Sequence, residues 1–302
     1  MGLAADVLGN LVPALLALAI AWPTDLLPYA AISFGINWAA AILYAIPFQS
    51  EKFYDLTGSF TFVTVAVVAA TVHPMDWQHR WRAYICSILV VLWTARLGIF
   101  LFRRIRAAGT DSRFDSVRTK PLAFLTYWSI QGLWVFITIL PVLYVNVKSK
   151  ASTSTTLLAS DVIGWSLWAL GITVEAIADA QKSAFRTHHP GTFISTGLWA
   201  YSRHPNYFGE IVLWVGMTIV CAPPLDSVWH LQLLSCLSPL LVATLLIFVS
   251  GIPMLEAASD KKFGHLEAYQ VYKRDTSVLV PWCRKSKASL PMTGPDYGSA
   301  PA

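Results

Sequence analysis

The sequence predicts an all-α fold, a polytopic transmembrane helical bundle of seven to eight spans. Three observations predict it. Of 302 residues, 55% are hydrophobic and only 13% are charged, whereas a soluble domain averages about 25% charged residues. Mean hydropathy is +0.54. Apolar runs of spanning length recur along most of the chain, and the basic residues gather in the loops of one side. So little charge cannot clothe a water-facing surface, and the bilayer is the main solvent.

A spanning helix needs about 20 mainly apolar residues. By that ruler the segments lie near 3–22, 29–47, 58–73, 82–102, 122–146, 160–179, 205–222 and 231–253. The first carries one charge, Asp6. The second, third, fifth and eighth carry none. The fourth begins at Arg82 and holds Arg96, the sixth has Asp161 at its start and holds Glu175 and Asp179, and the seventh opens on Pro205 and holds Glu210. The third and seventh are short, so seven spans are the alternative count.

Loop charges test this count. With eight spans, 17 Lys and Arg fall on one side and 4 on the other, with Arg96 inside a span. The positive-inside rule then places both termini in the cytoplasm. The reading is a single membrane domain, 1–284, with a Ser/Pro/Gly-rich cytoplasmic tail, 285–302, expected to be disordered. The start of the chain has no basic n-region, so no cleaved signal peptide is expected, nor a myristoyl anchor. Cys86, Cys221, Cys236 and Cys283 form no Cys-x-x-Cys pair and read as packing residues. The +5 net charge reads as membrane-surface bias, which excludes nucleic acid as the expected partner. No obligate protein partner is indicated. The bilayer is that of the endoplasmic reticulum in a eukaryote, or the inner membrane in a bacterium.

Ionisable groups within spans are candidates for function, because hydrocarbon penalises them. Arg96, Phe100 and Arg103/Arg104 recur at helical spacing in the fourth span. Glu175 and Asp179 stand four apart on one face of the sixth. Asn206, Glu210 and Trp214 share a face of the seventh. The structural alternative is an Arg96 pair with Glu175 or Glu210 that stitches the bundle.

The loop 181–204 leads into the seventh helix at Pro205, a residue suited to the first helical turn. That N-terminus offers free N–H groups and a positive dipole end to an anion. With Arg203, His204 and Asn206 beside it, the arrangement suits a phosphate or pyrophosphate, hence a nucleotide cofactor. No G-x-G-x-x-G and no P-loop occurs. His188-His189 lacks a third ligand at useful spacing, so no metal is expected. Ser202 and His204 lack an orienting acid nearby in sequence, which speaks against a hydrolase triad.

The stretches EAIADAQKSAFR (175–186), GLWAYSRHPNYFGEIVLW (197–214), SGIPMLE (250–256) and YQVYKRDTSVLVPW (269–282) resemble the steroid 5-alpha-reductase superfamily, in its branch of uncharacterised integral-membrane proteins. RLGIFLFRRIRAAGTDSRFD (96–115) fits the same branch. The resemblance implies a helical bundle with NADPH in a cytoplasm-facing cavity. Carried over by position, Arg96 and Arg104 meet the cofactor. Asp179, Asn206, Glu210 and Trp214 fall on cofactor or cavity positions, with Tyr207 in the same block. Glu175 matches a position that is Asn in the steroid enzymes. Arg113, Arg186, Arg203 and His204 are assigned to phosphate contacts, and the arginine-rich loop suits the 2′-phosphate of NADPH.

The implied reaction is reduction of a carbon–carbon double bond conjugated to a carbonyl in a lipophilic substrate, a steroid or sterol enone or a long-chain enoyl lipid. Stabilising charge on the carbonyl oxygen is then the protein's main task. The steroid enzymes use an early glutamate and a tyrosine on the next helix for the carbonyl, and this chain departs there. The tyrosine position falls near Trp93. Asp55, kept neutral by an apolar site, is the expected donor, with Tyr54 as the alternative; a helix N-cap is the competing role for Asp55. R-H-P-N-Y-F-G alone also fits isoprenylcysteine or phospholipid methyltransferases that use S-adenosylmethionine. A non-catalytic lipid-binding relative is the third reading.

Overall fold

The computed structural model describes residues 2–72, 77–148 and 156–283. The tail expected to be disordered, 285–302, lies outside them. Among the described residues there are helices and no strands. In order they are α1 (Leu3–Ala21), α2 (Leu27–Ala40), α3 (Ile46–Phe48), α4 (Tyr54–Val72), α5 (Trp77–Ala108), α6 (Pro121–Thr138), α7 (Leu140–Lys148), α8 (Ala159–His188), α9 (Pro205–Cys221), α10 (Trp229–Ser235), α11 (Leu237–Thr244), α12 (Ile252–Phe263) and α13 (Glu267–Asp275). Six helical stretches are long and apolar enough to cross a membrane, or seven if the bent α6–α7 pair is one span. The chain is an integral, multi-pass membrane protein.

One of the expected spans is bent, and two others carry π-helical turns. Between α6 and α7 the axis bends by 54°. Pro141 sits at the second position of α7, where it lacks an N–H and clashes with the preceding turn. Between α2 and α3 lies a π-helical turn, Ala41–Ala45, just ahead of Pro47. A second π-helical turn, Leu245–Val249, follows α11 just ahead of Gly251 and Pro253. The expected seventh span, now α9, has 17 residues. At 1.5 Å per residue it reaches about 25 Å, short of the roughly 30 Å hydrocarbon core.

The chain divides into two compact units. Unit 1 comprises Met1–Gly164 and Met217–Leu241, and unit 2 comprises Trp165–Gly216 and Val242–Ala302. The boundaries fall inside α8, α9 and α11.

Unit 1 is built on helices that are apolar all round, as lipid-facing segments should be. On α1 only Pro13, Ala17 and Ala21 are buried. Its docking is polar and local: the Asn10 amide donates to the Leu122 carbonyl at 3.0 Å and to Thr126 Oγ1 at 3.1 Å, and Ser129 Oγ donates to Asn10 Oδ1 at 2.8 Å. Without a hydrophobic drive between helices in lipid, such bonds and close contacts hold them together. α2 joins α6 likewise, through Ser33 Oγ to the Gly132 carbonyl (2.7 Å) and Trp38 Nε1 to Ser129 Oγ (2.9 Å). At the centre Phe62 meets Trp93 and Trp134 edge-on, at 5.1 and 5.0 Å between ring centres. One buried ion pair joins α5 to α8: Arg82 Nε and Nη2 donate to Asp161 at 2.7–3.0 Å.

Unit 2 packs α8 and α9 backbone to backbone. A side-chain carbon at Gly171 would lie 2.5 Å from the Gly209 carbonyl oxygen, and one at Gly209 would lie 2.5 Å from that of Gly171. Below this crossing, Trp199 Nε1 donates to the Ala178 carbonyl at 3.0 Å, and Gln181 Oε1 accepts the Leu198 N–H at 2.9 Å. Gly197, with φ +61°, sits where a side chain would collide with Gln181; only glycine adopts that backbone at no cost. The C-terminal residues are laced to the same loop. Arg203 N–H donates to the Ser277 carbonyl (2.8 Å), Trp282 N–H to the Tyr201 carbonyl (3.0 Å), and Tyr272 Oη to the Trp199 carbonyl (2.8 Å).

Candidate functional site

In unit 1, Arg104 of the cationic stripe lies beside the expected proton donors at the start of α4. Tyr54 and Asp55 are its first two residues, so Asp55 lies within the first turn and is not the N-cap. Asp55 faces two arginines: Arg104 Nη2 is 3.5 Å from Oδ2, and Arg113 Nη2 is 3.8 Å from Oδ1. Arg113 also grips Asp111 through Nε and Nη2, at 2.6–3.0 Å. Burial alone would weaken the Arg113 proton, but Asp111 and Asp55 hold it above the ordinary arginine value.

Asp55 itself is only 17% exposed, the sheltered setting that the expected role of a neutral hydrogen-bond donor requires. Tyr54 is committed elsewhere. Its hydroxyl donates to the Tyr127 carbonyl at 2.9 Å, and its ring packs between Phe114 and Trp128. Arg96 is half-buried on α5, and Trp93, at the position matched to the steroid-enzyme tyrosine, is fully buried.

The loop after α5 is strapped down by a residue the sequence reading passed over. Glu51 is buried and takes a bidentate grip from Arg118, both bonds 2.8 Å, plus the Asp111 N–H at 2.7 Å. Burial pushes its carboxyl upward, yet these donors more than offset that and leave it below the ordinary range. Asp111 is likewise depressed, burial being outweighed by Arg113.

In unit 2, Glu175 and Asp179 are buried on α8, 2% and 5% exposed. The i,i+4 spacing does place both on the side where α9 crosses, since Glu175 N lies 2.7 Å from where a Gly209 side chain would begin. Asn206 Nδ2 donates to Asp179 Oδ1 at 3.2 Å. The Asn206 Oδ1 acceptor is buried and unpartnered. Glu210 is half-buried and Trp214 fully buried further along α9. Arg186 is exposed in the last turn of α8.

At the head of α9, Arg203 and His204 meet Glu256 of α12, which the sequence reading quoted without a role. Arg203 Nη1 lies 2.9 Å from Oε2, His204 Nε2 2.9 Å from Oε1, and Lys273 of α13 3.2 Å from Oε2. Tyr207 stacks on the His204 ring, 5.6 Å between centres and 8° between planes. Burial lowers the His204 pKa, and although Glu256 opposes this, the net shift is downward. The ring nitrogen Nε2 of His204, a residue assigned to phosphate contact, thus lies on the Glu256 carboxylate. Ser202 Oγ is tied to the Leu279 carbonyl at 2.7 Å. Among the described residues no group of three His, Cys, Asp or Glu could hold a metal ion.

A sequence-family profile described as "Protein of unknown function (DUF1295)" matches residues 42–276. The chain belongs to this family. Neither a search of curated proteins nor one of solved structures finds a match. The matched segment runs from the π-helical turn before α3 to the end of α13. It contains Glu51, Asp55, Asp179, Asn206, Glu256 and Lys273, and leaves out α1 and α2.

Proposed function

We propose that the chain is a membrane-embedded, NADPH-dependent reductase of a carbon–carbon double bond conjugated to a carbonyl in a lipophilic substrate, akin to the steroid 5-alpha-reductases its sequence blocks resemble. The observation that carries the reading is the Asp179–Asn206 pair. A carboxylate and a carboxamide meet at 3.2 Å, just below a glycine–glycine helix crossing, with the Asn206 Oδ1 acceptor buried and open. Polar groups placed this expensively within apolar helices mark functional positions.

The donor set fits the cofactor. A nicotinamide carboxamide brings N–H donors for Asp179 and Asn206 Oδ1, with Glu175, Tyr207, Glu210 and Trp214 on the neighbouring turns. Arg186, Arg203 and the α9 N-terminus suit its phosphates. When bound, NADPH supplies the hydride. Within unit 1, Asp55 is the hydrogen-bond donor to the substrate carbonyl, with Arg104 and Arg113 beside it as cationic groups that favour a developing oxyanion. The span count of seven to eight, a cytoplasm-facing cavity and Arg96 as a cofactor contact belong to the same proposal.

The test is thermal unfolding of the detergent-purified full chain with NADPH, NADH or S-adenosylmethionine. A ligand that binds only the folded state stabilises by about 2.7 kcal/mol at a hundredfold excess over Kd. A rise with NADPH, lost in Asn206→Ala and Asp179→Asn, is expected. A rise with S-adenosylmethionine alone would replace the reductase by a methyltransferase.

A further inference from the structure

His204 carries more than an ionic contact. Its Nε2 lies 2.9 Å from Glu256 Oε1. Arg203 and Lys273 both donate to the other oxygen of that carboxylate, so Glu256 acts as an acceptor. An acceptor opposite Nε2 requires Nε2 to carry the hydrogen, which leaves Nδ1 as a bare lone pair. Nδ1 is buried and has no hydrogen-bond partner, in a residue only 5% exposed. Leaving a buried acceptor unsatisfied is costly, and native structures rarely do so without a functional reason.

The surroundings oppose a second proton. Arg203 adjoins the ring in sequence, Lys273 approaches from α13, and Lys182 adds its charge from α8. Among the described residues Glu256 of α12 is the carboxylate on the ring, and Tyr207 covers one face. A phosphate would find here an acceptor, not a donor.

We propose that His204 and Glu256 form a carboxylate–imidazole dyad whose Nδ1 accepts a hydrogen bond from an uncharged hydroxyl group of a bound ligand. The carboxylate fixes the tautomer, as in a hydrolase triad, but Ser202 is tied to Leu279 and supplies no nucleophile. The hydroxyl has two possible sources, the ribose of a nucleotide or a lipid head. The dyad goes beyond the reductase reading and does not require it.

Nitrogen-15 labelling of the histidine rings in the full-length protein in micelles tests this, with His204→Gln assigning the resonances. At neutral pH His204 is expected as the neutral Nε2–H tautomer, and Glu256→Gln should mix the two tautomers. Adding NADPH or a long-chain alcohol should shift the Nδ1 signal upfield, and which of them acts names the source. An imidazolium, an Nδ1–H tautomer, or an Nδ1 signal unmoved by both would overturn the dyad. A melting-temperature rise with NADPH, read on the same sample, tests the reductase separately. That rise with an unmoved Nδ1 defeats the dyad alone, and an alcohol-induced shift without it defeats the reductase alone.

Discussion

The carbonyl oxygen of Gly171 lies 2.5 Å from the point where a side-chain carbon on Gly209 would sit. The obstacle is backbone, with Glu175 N a further 2.7 Å away, so no rotamer change can relieve it. Gly209→Ala must force α8 and α9 apart, and overpacking of this kind costs about 1–3 kcal/mol. Because Asp179 and Asn206 flank the crossing, the variant should also lose ligand-dependent stabilisation. Gly35→Ala is the control: nothing lies within 4 Å of the added carbon, and a helix-interior glycine replaced by alanine gains up to about 1 kcal/mol. Thermal unfolding of both variants checks the contrast; equal melting temperatures would refute the close crossing.

Arg82 and Asp161 are almost wholly buried, at 4% and 0% side-chain exposure. Asp161 also accepts the Leu158 N–H at 2.8 Å. Removing either partner strands a charge in an apolar setting, at a cost of about 3–5 kcal/mol. Arg82→Met and Asp161→Leu should each destabilise strongly, while the double variant recovers most of the loss. A double variant as unstable as the sum of the singles would show that the two do not act as a pair.

Acid should loosen the loop after α5. Glu51 and Asp111 titrate below their ordinary values in the folded chain, so the unfolded chain takes up protons first as pH falls. Their stabilisation is complete above the ordinary carboxylate range of about 4 and disappears as pH drops through the depressed folded values. Arg118→Gln removes the main force depressing Glu51, so cleavage should be faster at neutral pH and rise less on acidification than in the wild type. Proteolytic cleavage within 109–118, followed against pH, measures it. Identical profiles would contradict the strap.

Lys273 extends the Glu256 cluster to α13. Burial opposes its charge, but Asp260 at 2.6 Å and Glu256 at 3.2 Å raise its pKa. Tyr269, bonded to Asp260 at 3.0 Å, is buried and pushed up to about 12. Lys273→Met should therefore free the C-terminal segment that pairs with Tyr201–Arg203. Amide hydrogen exchange at Arg203 and Trp282 should quicken while α4 and α6 keep their protection. Unchanged exchange at those two amides would contradict the latch.

Hydropathy made the helices legible: 3–22 against α1 (Leu3–Ala21), and 205–222 against α9 (Pro205–Cys221), which at 17 residues is a helix of less than spanning length. It stopped α8 at Asp179, whereas the helix continues to His188. Residues 180–188 are polar but include good helix formers such as Ala, Gln, Lys and Arg; a hydropathy ruler reports bilayer depth, not helix length. The π-helical turns left no trace beyond the prolines that follow them. Period also placed Glu175 and Asp179 on one face, and the structure shows that α9 covers it. Partners were another matter. Nothing local in the sequence tells that Glu256 closes on His204, 52 residues away, or that Glu51 closes on Arg118, because these pairs are set by tertiary packing. The one available signal was that Glu256 is the first acid after the long uncharged run 227–255.

The most direct test of the reductase itself is transfer of deuterium from NADPH deuterated at the nicotinamide C4 position. The purified chain would be incubated with a steroid enone or a long-chain enoyl lipid, and the products read by mass spectrometry. The account predicts a saturated product with one deuterium at the β-carbon, formed by the wild type and lost in Asn206→Ala. Binding of NADPH with no labelled product from either lipid class, or a methylated product when S-adenosylmethionine is supplied instead, would contradict it.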